Sequence, residues 1–521
     1  MDTKALRQKI LDLAIRGKLV PQDPNDEPAS VLLGRIRQQK QQMVKEGKLK
    51  PKDIKNDSVI FVGEDNLHYE KFADGRVKCI EDEIPFDLPE GWEWVRLGSV
   101  GDMTLGKMLD VTKNKGTLRP YLRNINVRWG AFELSDVLEM RFEDDELERY
   151  SIRHGDLVIC EGGEPGRCAV WQSEEVVFYQ KALHRVRAIE VLPEFLYYVI
   201  RHFIISNQYE RYYTGTTIKH LTGQSLRIIP IPLPPLNEQK LIVEHLQRII
   251  EEIDKIETEK TEALSLVSFA KSKILDLAIR GQLVPQDPDD EPASVLLERI
   301  RAEKEELIKQ GKIKRNKKES IIFRGEDNSY YVRQDTHMES IDEQFIFELP
   351  DNWEWCSLLN IAKIELGKTL DSAKNIGTNY PYLRSVNVRW NEVDLSDLKE
   401  MRFEPEELDR YTVRHNDLLI CEGGDVGRSC VWTDEKEILY QNALHRVRFY
   451  GGCNPFYFMY YMMYYESRGI IKALCKGVTI KHLTGNVLSL IPFALPPIEE
   501  QDRIVKRLNR IFVLLDSIIC D

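Results

Sequence analysis

The chain has 521 residues and a formal net charge of −12, and 42% of its residues are hydrophobic. This length exceeds what one hydrophobic core supports and predicts about three domains, while the apolar fraction indicates a soluble globular protein. The negative total excludes a uniformly basic surface, but DNA binding requires only a local one. No stretch approaches the roughly 20 apolar residues of a membrane span, and no apolar signal segment follows Met1. We therefore expect a cytoplasmic protein without a membrane segment.

Residues 1–17 are predicted to form an N-terminal spacer helix, because apolar side chains recur at helical spacing at Leu6, Ile10 and Leu13. Residues 18–90 follow as a connector. It contains an amphipathic helix from Val31 to Val44 and a Lys-rich stretch from Lys45 to Lys55. Charge runs of this kind are usually solvated linkers.

Residues 91–235 are predicted to form a mixed α/β domain. Short β-rich runs, Leu157 to Ile159 and Val176 to Phe178, alternate with glycine turns. Gly162-Gly-Glu-Pro-Gly166 is interpreted as a turn between strands rather than a loop that holds a cofactor. A helix is predicted from Pro193 to Tyr213.

A central spacer helix is predicted over residues 236–281, directly after Pro232-Leu-Pro-Pro235. Gly281 is a helix stop signal, and Pro285 lies just beyond it. The apolar residues follow a heptad spacing with one break at Lys260, which is typical of a coiled coil. They are Ile242, Leu246, Ile249, Ile253, Ile256, Ala263, Val267, Ala270, Ile274 and Leu277.

The second half of the chain repeats the first. It is predicted to contain a connector at 282–352 with an amphipathic helix from Val295 to Ile308, a second domain at 353–497 and a C-terminal spacer helix at 498–521. This is a duplication of whole domains and not an array of short repeats. The matching segments are Lys9–Pro24 with Lys273–Pro288, Trp92–Trp94 with Trp353–Trp355, Tyr121–Trp129 with Tyr382–Trp390, Cys160–Gly163 with Cys421–Gly424, Ala182–Arg187 with Ala443–Arg448, and Ile218–Gly223 with Ile480–Gly485.

The two terminal segments carry the two halves of the central stripe. The N-terminal stripe matches the second half of the central helix, and the C-terminal stripe matches the first half at Ile504, Leu508, Ile511, Leu515 and Ile518. Sustained heptads usually mark helix pairing, so the central helix is predicted to pair with both terminal helices. The predicted fold class is α+β, with two duplicated mixed α/β domains joined by long antiparallel coiled-coil helices in a pseudo-two-fold arrangement. The alternative is that each stripe packs on its own domain.

No catalytic or cofactor-binding motif is complete. Asn454-Pro-Phe-Tyr457 resembles a methyltransferase motif, but its repeat partner keeps only the proline, so we interpret it as a capped helix start. Leu366-Gly-Lys-Thr369 lacks the earlier glycine of a phosphate-binding loop. His184 and His445 lie in predicted strands without spaced acidic partners.

The nine cysteines are predicted to be reduced thiols. Cys160 and Cys168 are spaced like a candidate pair. Their counterparts Cys421 and Cys430 are one residue further apart, a difference that fixed metal-ligand geometry would not tolerate. No metal site is predicted.

Both domains instead offer polar and basic residues suited to DNA. Arginine pairs well with guanine edges and asparagine with adenine edges, while lysine and hydroxyl groups bind phosphates. The alternative for each residue is an ordinary surface charge. The candidates are Lys107, Arg123, Asn126, Arg128, Thr217, Lys219 and His220 in the first domain, and Lys368, Arg384, Asn387, Arg389, Thr479, Lys481 and His482 in the second.

Three motifs carry a family resemblance: Trp92-Glu-Trp-Val-Arg-Leu97, Gly215-Thr-Thr-Ile-Lys-His-Leu221 and Ile231-Pro-Leu-Pro-Pro-Leu-Asn-Glu-Gln239, the last repeated as Phe493-Ala-Leu-Pro-Pro-Ile-Glu-Glu-Gln501. Essentially the whole chain resembles the specificity (S) subunits of type I restriction-modification systems. The resemblance implies two target-recognition domains, each reading one half of a bipartite site in double-stranded DNA. It also implies helices that fix the unread gap.

The resemblance further implies the partners. Two methyltransferase subunits are expected to dock on the chain and to methylate adenines with S-adenosylmethionine that they bind themselves. The resemblance leaves open whether motor-nuclease subunits join them. This chain is then expected to bind no cofactor and to catalyse no reaction.

The near identity of the two domains departs from the common pattern, in which the recognition domains differ greatly. Similar readers related by a pseudo-two-fold axis should read similar half-sites in inverted orientation. We therefore predict an interrupted palindrome or near-palindrome. Differences between the half-sites should map to diverged positions such as Arg119/Tyr380, Asn124/Ser385 and Gly130/Asn391.

Two other functions remain open from the residues alone. The chain could be a stand-alone DNA methyltransferase or nuclease with unfamiliar motifs, which predicts methyl transfer without a partner. It could also be a scaffold that uses its coiled coil only to join proteins, which predicts no sequence preference for DNA.

Overall fold

A computed structural model describes residues 2–55, 57–110, 112–215, 219–315, 320–334, 337–341, 347–371, 373, 375–475 and 482–520. The chain divides into two compact units, Met1–Glu259 and Lys260–Asp521. The length alone had suggested about three domains, but each connector packs with the domain that follows it. Across the described ranges, no helix is both long enough and apolar enough to cross a membrane.

The first unit contains five helices and the start of a sixth among its described residues. The helices are α1 (Thr3–Ile15), α2 (Ala29–Lys45), α3 (Pro51–Ile54), α4 (Pro193–Ile205), α5 (Gly223–Arg227) and α6 (Leu236–Ile279). The strands are β1 (Val59–Val62), β2 (His68–Lys71), β3 (Val77–Cys79), β4 (Glu93–Arg96), β5 (Gly101–Leu105), β6 (Thr117–Leu122), β7 (Val127–Arg128), β8 (Ala131–Phe132), β9 (Leu138–Phe142), β10 (Ser151–Ile152), β11 (Leu157–Cys160), β12 (Cys168–Val170), β13 (Val177–Tyr179), β14 (Leu183–Ala188) and β15 (Pro230–Leu233).

The second unit repeats the order of the strands, whereas its helices differ in part. Its further helices are α7 (Ala293–Lys309), α8 (Leu358–Ile361), α9 (Pro405–Tyr411), α10 (Pro455–Ser467), α11 (Ile470–Leu474), α12 (Gly485–Leu490) and α13 (Ile498–Cys520). Its strands are β16 (Ser320–Arg324), β17 (Tyr330–Gln334), β18 (His337–Ser340), β19 (Glu354–Ser357), β20 (Ala362–Leu366), β21 (Thr378–Leu383), β22 (Val388–Arg389), β23 (Glu392–Val393), β24 (Lys399–Phe403), β25 (Thr412–Val413), β26 (Leu418–Cys421), β27 (Ser429–Val431), β28 (Ile438–Tyr440), β29 (Leu444–Phe449) and β30 (Pro492–Leu495).

Two four-stranded sheets form the body of each recognition module. In the first unit their strand orders are β10-β13-β6-β9 and β12-β11-β14-β5, and in the second unit β25-β28-β21-β24 and β27-β26-β29-β20. Strand β11 contributes side chains to two hydrophobic clusters, because successive side chains point to opposite faces of the sheet. Val158 packs with Leu122 and Tyr179 of the other sheet, whereas Leu157 and Ile159 belong to the cluster that contains α4.

Helix α4 ends earlier than predicted. The sequence pattern suggested a helix from Pro193 to Tyr213, but α4 stops at Ile205. Asn207 adopts a left-handed conformation with φ of 57°, and the Gln208 amide donates to the Phe203 carbonyl over 2.9 Å. This is the hydrogen-bond pattern of a helix C-terminus in which asparagine takes the place of glycine.

The heptad stripe lies on one continuous helix, α6, as predicted. In the first unit Arg7 of α1 forms an ion pair with Asp254 and a second with Glu257 at 2.9 Å, both on α6. In the second unit Lys271 of α6 pairs with Asp516 of α13 at 2.5 Å. The predicted pairing of the central helix with both terminal segments is therefore confirmed within each unit.

The stripes also pack on their own domains, as the alternative required. Leu246 of α6 and Leu11 of α1 share a buried cluster with Phe195 and Val199 of α4. In each unit the two paired helices therefore pack on α4 or on its counterpart α10. The predicted helix pairing and the alternative of packing on the domain both hold in part. Coiled-coil geometry and the pseudo-two-fold relation stay predictions, as do the domain boundaries.

A buried glutamate fixes the start of α6. Glu238 accepts hydrogen bonds from Trp92 Nε1 at 2.8 Å and from Gln22 Nε2 at 3.0 Å, and burial raises the pKa of its carboxyl group. The neighbouring Gln239 Oε1 accepts from the Leu192 amide at 3.0 Å, just before α4. The repeated tryptophan, proline-rich and glutamate-glutamine motifs therefore meet at one point.

The second unit builds the same junction. Trp353 Nε1 donates to Glu500 over 2.8 Å, and Gln286 Nε2 donates to the same carboxylate over 2.6 Å. Gln501 Oε1 accepts from the Asn454 amide at 2.8 Å. This hydrogen-bonded connection orients each long helix against its module and explains why the motif recurs.

Candidate nucleic-acid interface

A short 3₁₀ turn positions the central segment of each module. In the first unit it covers Asn124–Asn126 and leads directly into β7. Asn126 is buried, and its Nδ2 donates to the carbonyls of Glu133 and Asp136, each at 2.9 Å. Its Oδ1 accepts from the Arg123 amide at 2.9 Å. The buried side-chain amide of Asn126 therefore stabilises the turn.

Arg123 braces the same turn from outside. Its Nη2 donates to the Asp136 carbonyl at 2.8 Å and to the Asp136 carboxylate at 2.7 Å. In the second unit Arg384 contacts Asp397 and Asn387 contacts the carbonyls of Asp394 and Asp397 in the same way. These four predicted DNA contacts are engaged within the protein.

Lys107 and Lys368 are buried against carboxylates. Lys107 Nζ pairs with Glu143, and with Glu146 at 2.5 Å, and the ammonium group holds the pKa of Glu143 down to about 2. Lys368 pairs with Glu407. A buried lysine seldom lacks such a partner, and direct DNA contact by either residue stays a prediction.

Arg128 and Arg389 lie on the surface at the ends of β7 and β22. Each strand forms a tight hairpin with the strand that follows it. Gly130 and Asn391 occupy the turns with φ of 73° and 61°, a left-handed conformation that favours glycine and tolerates asparagine. Within the described part of the chain, neither arginine has an ion-pair partner, so both side chains project from a rigid hairpin toward solvent.

The glycine-rich loop lies beside this hairpin. It connects the antiparallel strands β11 and β12, which confirms its interpretation as a turn between strands. Glu164 links the loop to the hairpin, since it accepts from Trp129 Nε1 at 2.9 Å and from Arg167 Nη1 at 2.6 Å. Arg167 also donates to the Asn124 carbonyl at 2.9 Å. The side chain of Asn124 donates to the Gly162 carbonyl at 2.8 Å.

In the second unit an arginine stabilises the corresponding loop in the same way. Arg428 pairs with Asp425 and donates to the Ser385 carbonyl at 2.9 Å. Arg167 and Arg428 were not among the predicted residues. The sequence does contain a signal for these two residues, because an arginine follows each Cys-Glu-Gly-Gly repeat, four residues after its last glycine.

An isolated antiparallel bridge between Thr214 and His220 completes the surface in the first unit. The two residues exchange backbone hydrogen bonds of 2.9 and 2.8 Å, and Lys219 pairs with Glu210 at 3.0 Å. The exposed His220 ring lies so close to Gly162 that a Cβ there would meet its Nδ1 at 2.9 Å. His482 lies against Gly423 in the same manner. Thr217, Thr479 and Lys481 lie outside the described residues.

The structure therefore brings Arg128, the glycine-rich loop and His220 together on one surface of the first module, and Arg389 and His482 on the matching elements of the second. An arginine on a rigid two-strand projection can reach base edges or phosphates. The imidazole of His220, which lies against the glycine-rich loop, supplies a further hydrogen-bonding group.

The residues of the incomplete catalytic and cofactor motifs have structural roles. His184 donates from Nε2 to the Leu221 carbonyl at 2.9 Å, and burial lowers its pKa. Asn454 caps α10 by accepting from the Phe456 amide at 2.9 Å, as interpreted from the sequence. A Cβ at Gly367 would lie 2.2 Å from the Gln441 carbonyl oxygen, so that glycine serves close packing. Burial raises the pKa of Cys160 and Cys421 to about 11, which keeps both as thiols.

Comparison with known proteins adds independent observations. A family model described as "Type I restriction modification DNA specificity domain" matches residues 89–266 and 350–518. The chain is 26% identical to the type I restriction enzyme EcoAI specificity subunit of Escherichia coli, over 98% of this chain and 88% of that protein. It is also 26% identical to the EcoEI specificity subunit of Escherichia coli, over 99% of this chain and 90% of that protein.

A solved structure supports the fold. One of its chains, described under "Structural basis underlying complex assembly and conformational transition of the type I R-M system", superposes with a TM-score of 0.55 at 21% identity. The match covers 84% of this chain and 93% of that one. The overall fold is therefore shared with that chain.

Proposed function

The chain belongs to the type I restriction modification DNA specificity family, and from this premise we propose that it reads a bipartite DNA site for a multisubunit enzyme. It has no catalytic role of its own. Its relatives are named as specificity subunits of type I restriction enzymes. Methylation and cleavage then belong to partner subunits that this chain positions on DNA.

One observation carries the proposal. A single chain holds two copies of the same module, and each copy presents an exposed arginine on a braced hairpin. A single helix, α6, begins in one unit and ends in the other. Two similar readers in one chain suit a DNA site made of two half-sites.

Similar readers should prefer similar half-sites, so we propose an interrupted near-palindrome. The Gly130/Asn391 difference preserves the hairpin backbone, because both residues are left-handed. The Arg119/Tyr380 and Asn124/Ser385 differences change the chemistry of the side chain. Of the three diverged positions, these two are the better candidates for any difference between the half-sites.

The partners follow from the same proposal. Two methyltransferase subunits would bind S-adenosylmethionine and dock on this chain, and motor-nuclease subunits would join them. The complex would act on double-stranded DNA in the cytoplasm. This chain would bind no cofactor.

Genome-wide mapping of methylated adenine tests the proposal. A host that expresses this chain with its neighbouring methyltransferase is compared with a host that expresses the methyltransferase alone. A new bipartite motif only in the first host is the expected result, and its symmetry reports on the near-palindrome. Two unrelated half-sites would contradict the symmetry but not the recognition role.

Two further outcomes would support the other functions. Methyl transfer by the purified chain alone, with labelled S-adenosylmethionine, would instead support a stand-alone enzyme. No new motif, with an active methyltransferase bound to the chain, would support a scaffold.

A further inference from the structure

A cavity of about 480 Å³ lies between α1, α4 and the first half of α6 in the first unit. Its volume falls within the usual range for small-molecule sites. The walls are mostly apolar, and the residues that matter here are Ile10, Leu11, Tyr198, Leu246, Ile250 and Ile253. It lies on the helical side of the unit and shares no lining residue with the surface around Arg128.

The charged side chains of the cavity wall are all cationic. Lys4, Arg7 and Arg201 line it, and none of its lining residues is acidic. Arg7 is already paired with carboxylates of α6. Among the described residues, no carboxylate lies within ion-pair distance of Lys4 or Arg201, and Arg201 Nη1 donates to the Tyr197 hydroxyl at 2.8 Å. These two cations favour an anionic group at the rim.

The second unit shows which side chain can fill the corresponding space. Phe512 of α13 occupies the position that Ile250 occupies in α6, and its side chain is buried. The ring meets Tyr460 edge-on with centroids 5.6 Å apart, and Lys271 Nζ lies 5.0 Å from its centre. Tyr460 and Lys271 are the counterparts of Tyr198 and Arg7 by repeat alignment. The same helices therefore hold an aromatic ring where the first unit has a cavity.

We infer that this cavity binds a small aromatic molecule that carries an anionic group. The ring would lie against Tyr198 and Ile250, as Phe512 lies against Tyr460, and the anion would face Arg201 and Lys4. The second unit lacks both cations, since Met463 and Ser268 stand at these positions. The site is therefore specific to the first unit, and its existence does not depend on the proposed function.

Two fluorescent probes with the same ring system test the site on the full-length chain. 8-Anilino-1-naphthalenesulfonate is the anionic aromatic, and N-phenyl-1-naphthylamine is its neutral analogue. We expect one sulfonate probe per chain, bound at least about fivefold more tightly than the neutral probe at low salt. Binding should also raise the melting temperature as the probe concentration increases.

Ile250→Phe fills the cavity with the residue that the second unit uses. We expect it to weaken both probes by about tenfold or more while circular dichroism stays unchanged. Arg201→Met, also the residue of the second unit, should weaken only the sulfonate probe and so remove the preference between the two. If Ile250→Phe does not fold, Arg201→Met alone decides the question.

Phe512→Ile is the matched control in the other unit. It opens the corresponding position without adding the cations, so we expect a second site that the neutral probe occupies at least as well as the sulfonate. The inference is overturned if folded Ile250→Phe binds the sulfonate probe as the natural chain does. It is equally overturned if the natural chain binds the two probes alike.

Discussion

At the scale of single residues, Arg128 and Arg389 differ from the other arginine, lysine and asparagine candidates that the structure describes. Both side chains are exposed and have no ion-pair partner among the described residues, whereas Arg123, Arg384, Lys107 and Lys368 are each paired with a carboxylate. Residue type and spacing pointed to all of them alike. Sequence could not tell them apart, because the carboxylates and carbonyls that engage the others come from segments brought near only by folding.

Arg128→Ala should weaken recognition of one half-site. We expect a loss of about 1 to 3 kcal/mol, as for an arginine that reads a base edge, with relaxed preference at one position of the site. The measurement is a titration of the complex with its methyltransferase on duplexes that carry both half-sites, over a range of salt concentrations.

Arg389→Ala is the matched control and should affect the other half-site to a similar degree. A uniform loss over all sequences, with a salt slope lowered by about one, would assign Arg128 to a phosphate instead. Unchanged affinity and specificity would show that the residue does not contact DNA.

His202 on α4 predicts a pH dependence of stability. Burial lowers its pKa from 6.5 to about 4, although the carboxylate of Asp12 lies 3.7 Å away. The unfolded chain therefore takes up the proton first. The free energy of unfolding falls as the pH drops from about 6.5 toward 4, and the stabilising effect of the neutral ring is fully present only above 6.5.

His202→Tyr should remove this dependence, because the second unit carries Tyr464 there with a hydrogen bond to Asp276, the counterpart of Asp12. Between pH 7.5 and 5 we expect the natural chain to lose about 1 to 2 kcal/mol more than the variant. Urea unfolding at both pH values measures the difference. Equal losses in the two proteins would contradict the assignment.

At the scale of elements, the repeat reveals which interactions the fold requires. In the first unit Arg96 of β4 is buried and donates to Glu70 of β2 at 2.6 Å and to Glu83 at 2.7 Å. The second unit has Ser357 and Val332 at the positions of Arg96 and Glu70. The same sheet junction therefore forms with or without an ion pair.

Glu70→Ala should destabilise the first unit by about 3 kcal/mol, because it leaves a buried guanidinium with one carboxylate fewer. The double variant Arg96→Ser with Glu70→Val copies the second unit and should cost clearly less. Denaturant unfolding of the single and double variants makes the comparison. A double variant as unstable as the single one would show that the pair itself, and not its uncompensated half, supports the junction.

The helices were the elements best predicted from sequence. Heptad spacing located α6, and amphipathic spacing located α2 and α7, because burial of one helix face leaves a strong periodic signal. The end of α4 was missed, since it depends on the left-handed conformation of one asparagine. The glutamate of the junction motif was noted only as a signature, and its tryptophan and glutamine partners emerged from the structure.

At the scale of the whole molecule, duplication was the most informative feature of the sequence. It predicted two similar units, and it supplies a matched control residue for almost every variant considered above. The units have diverged in their packing. At equivalent positions the second unit has Phe512 in place of Ile250, Tyr464 in place of His202 and Ser357 in place of Arg96. The exposed arginine on its hairpin is kept in both.

The near-identical segments Lys9–Pro24 and Lys273–Pro288 also have a genetic consequence. A deletion of the gene that joins equivalent codons of the two segments would remove one repeat length without shifting the reading frame. The product joins the N-terminal helix to the second connector, the second module and α13. Arg7 would then stand where Lys271 stands, opposite Asp516, so the shortened gene still encodes every helix and strand type of one unit.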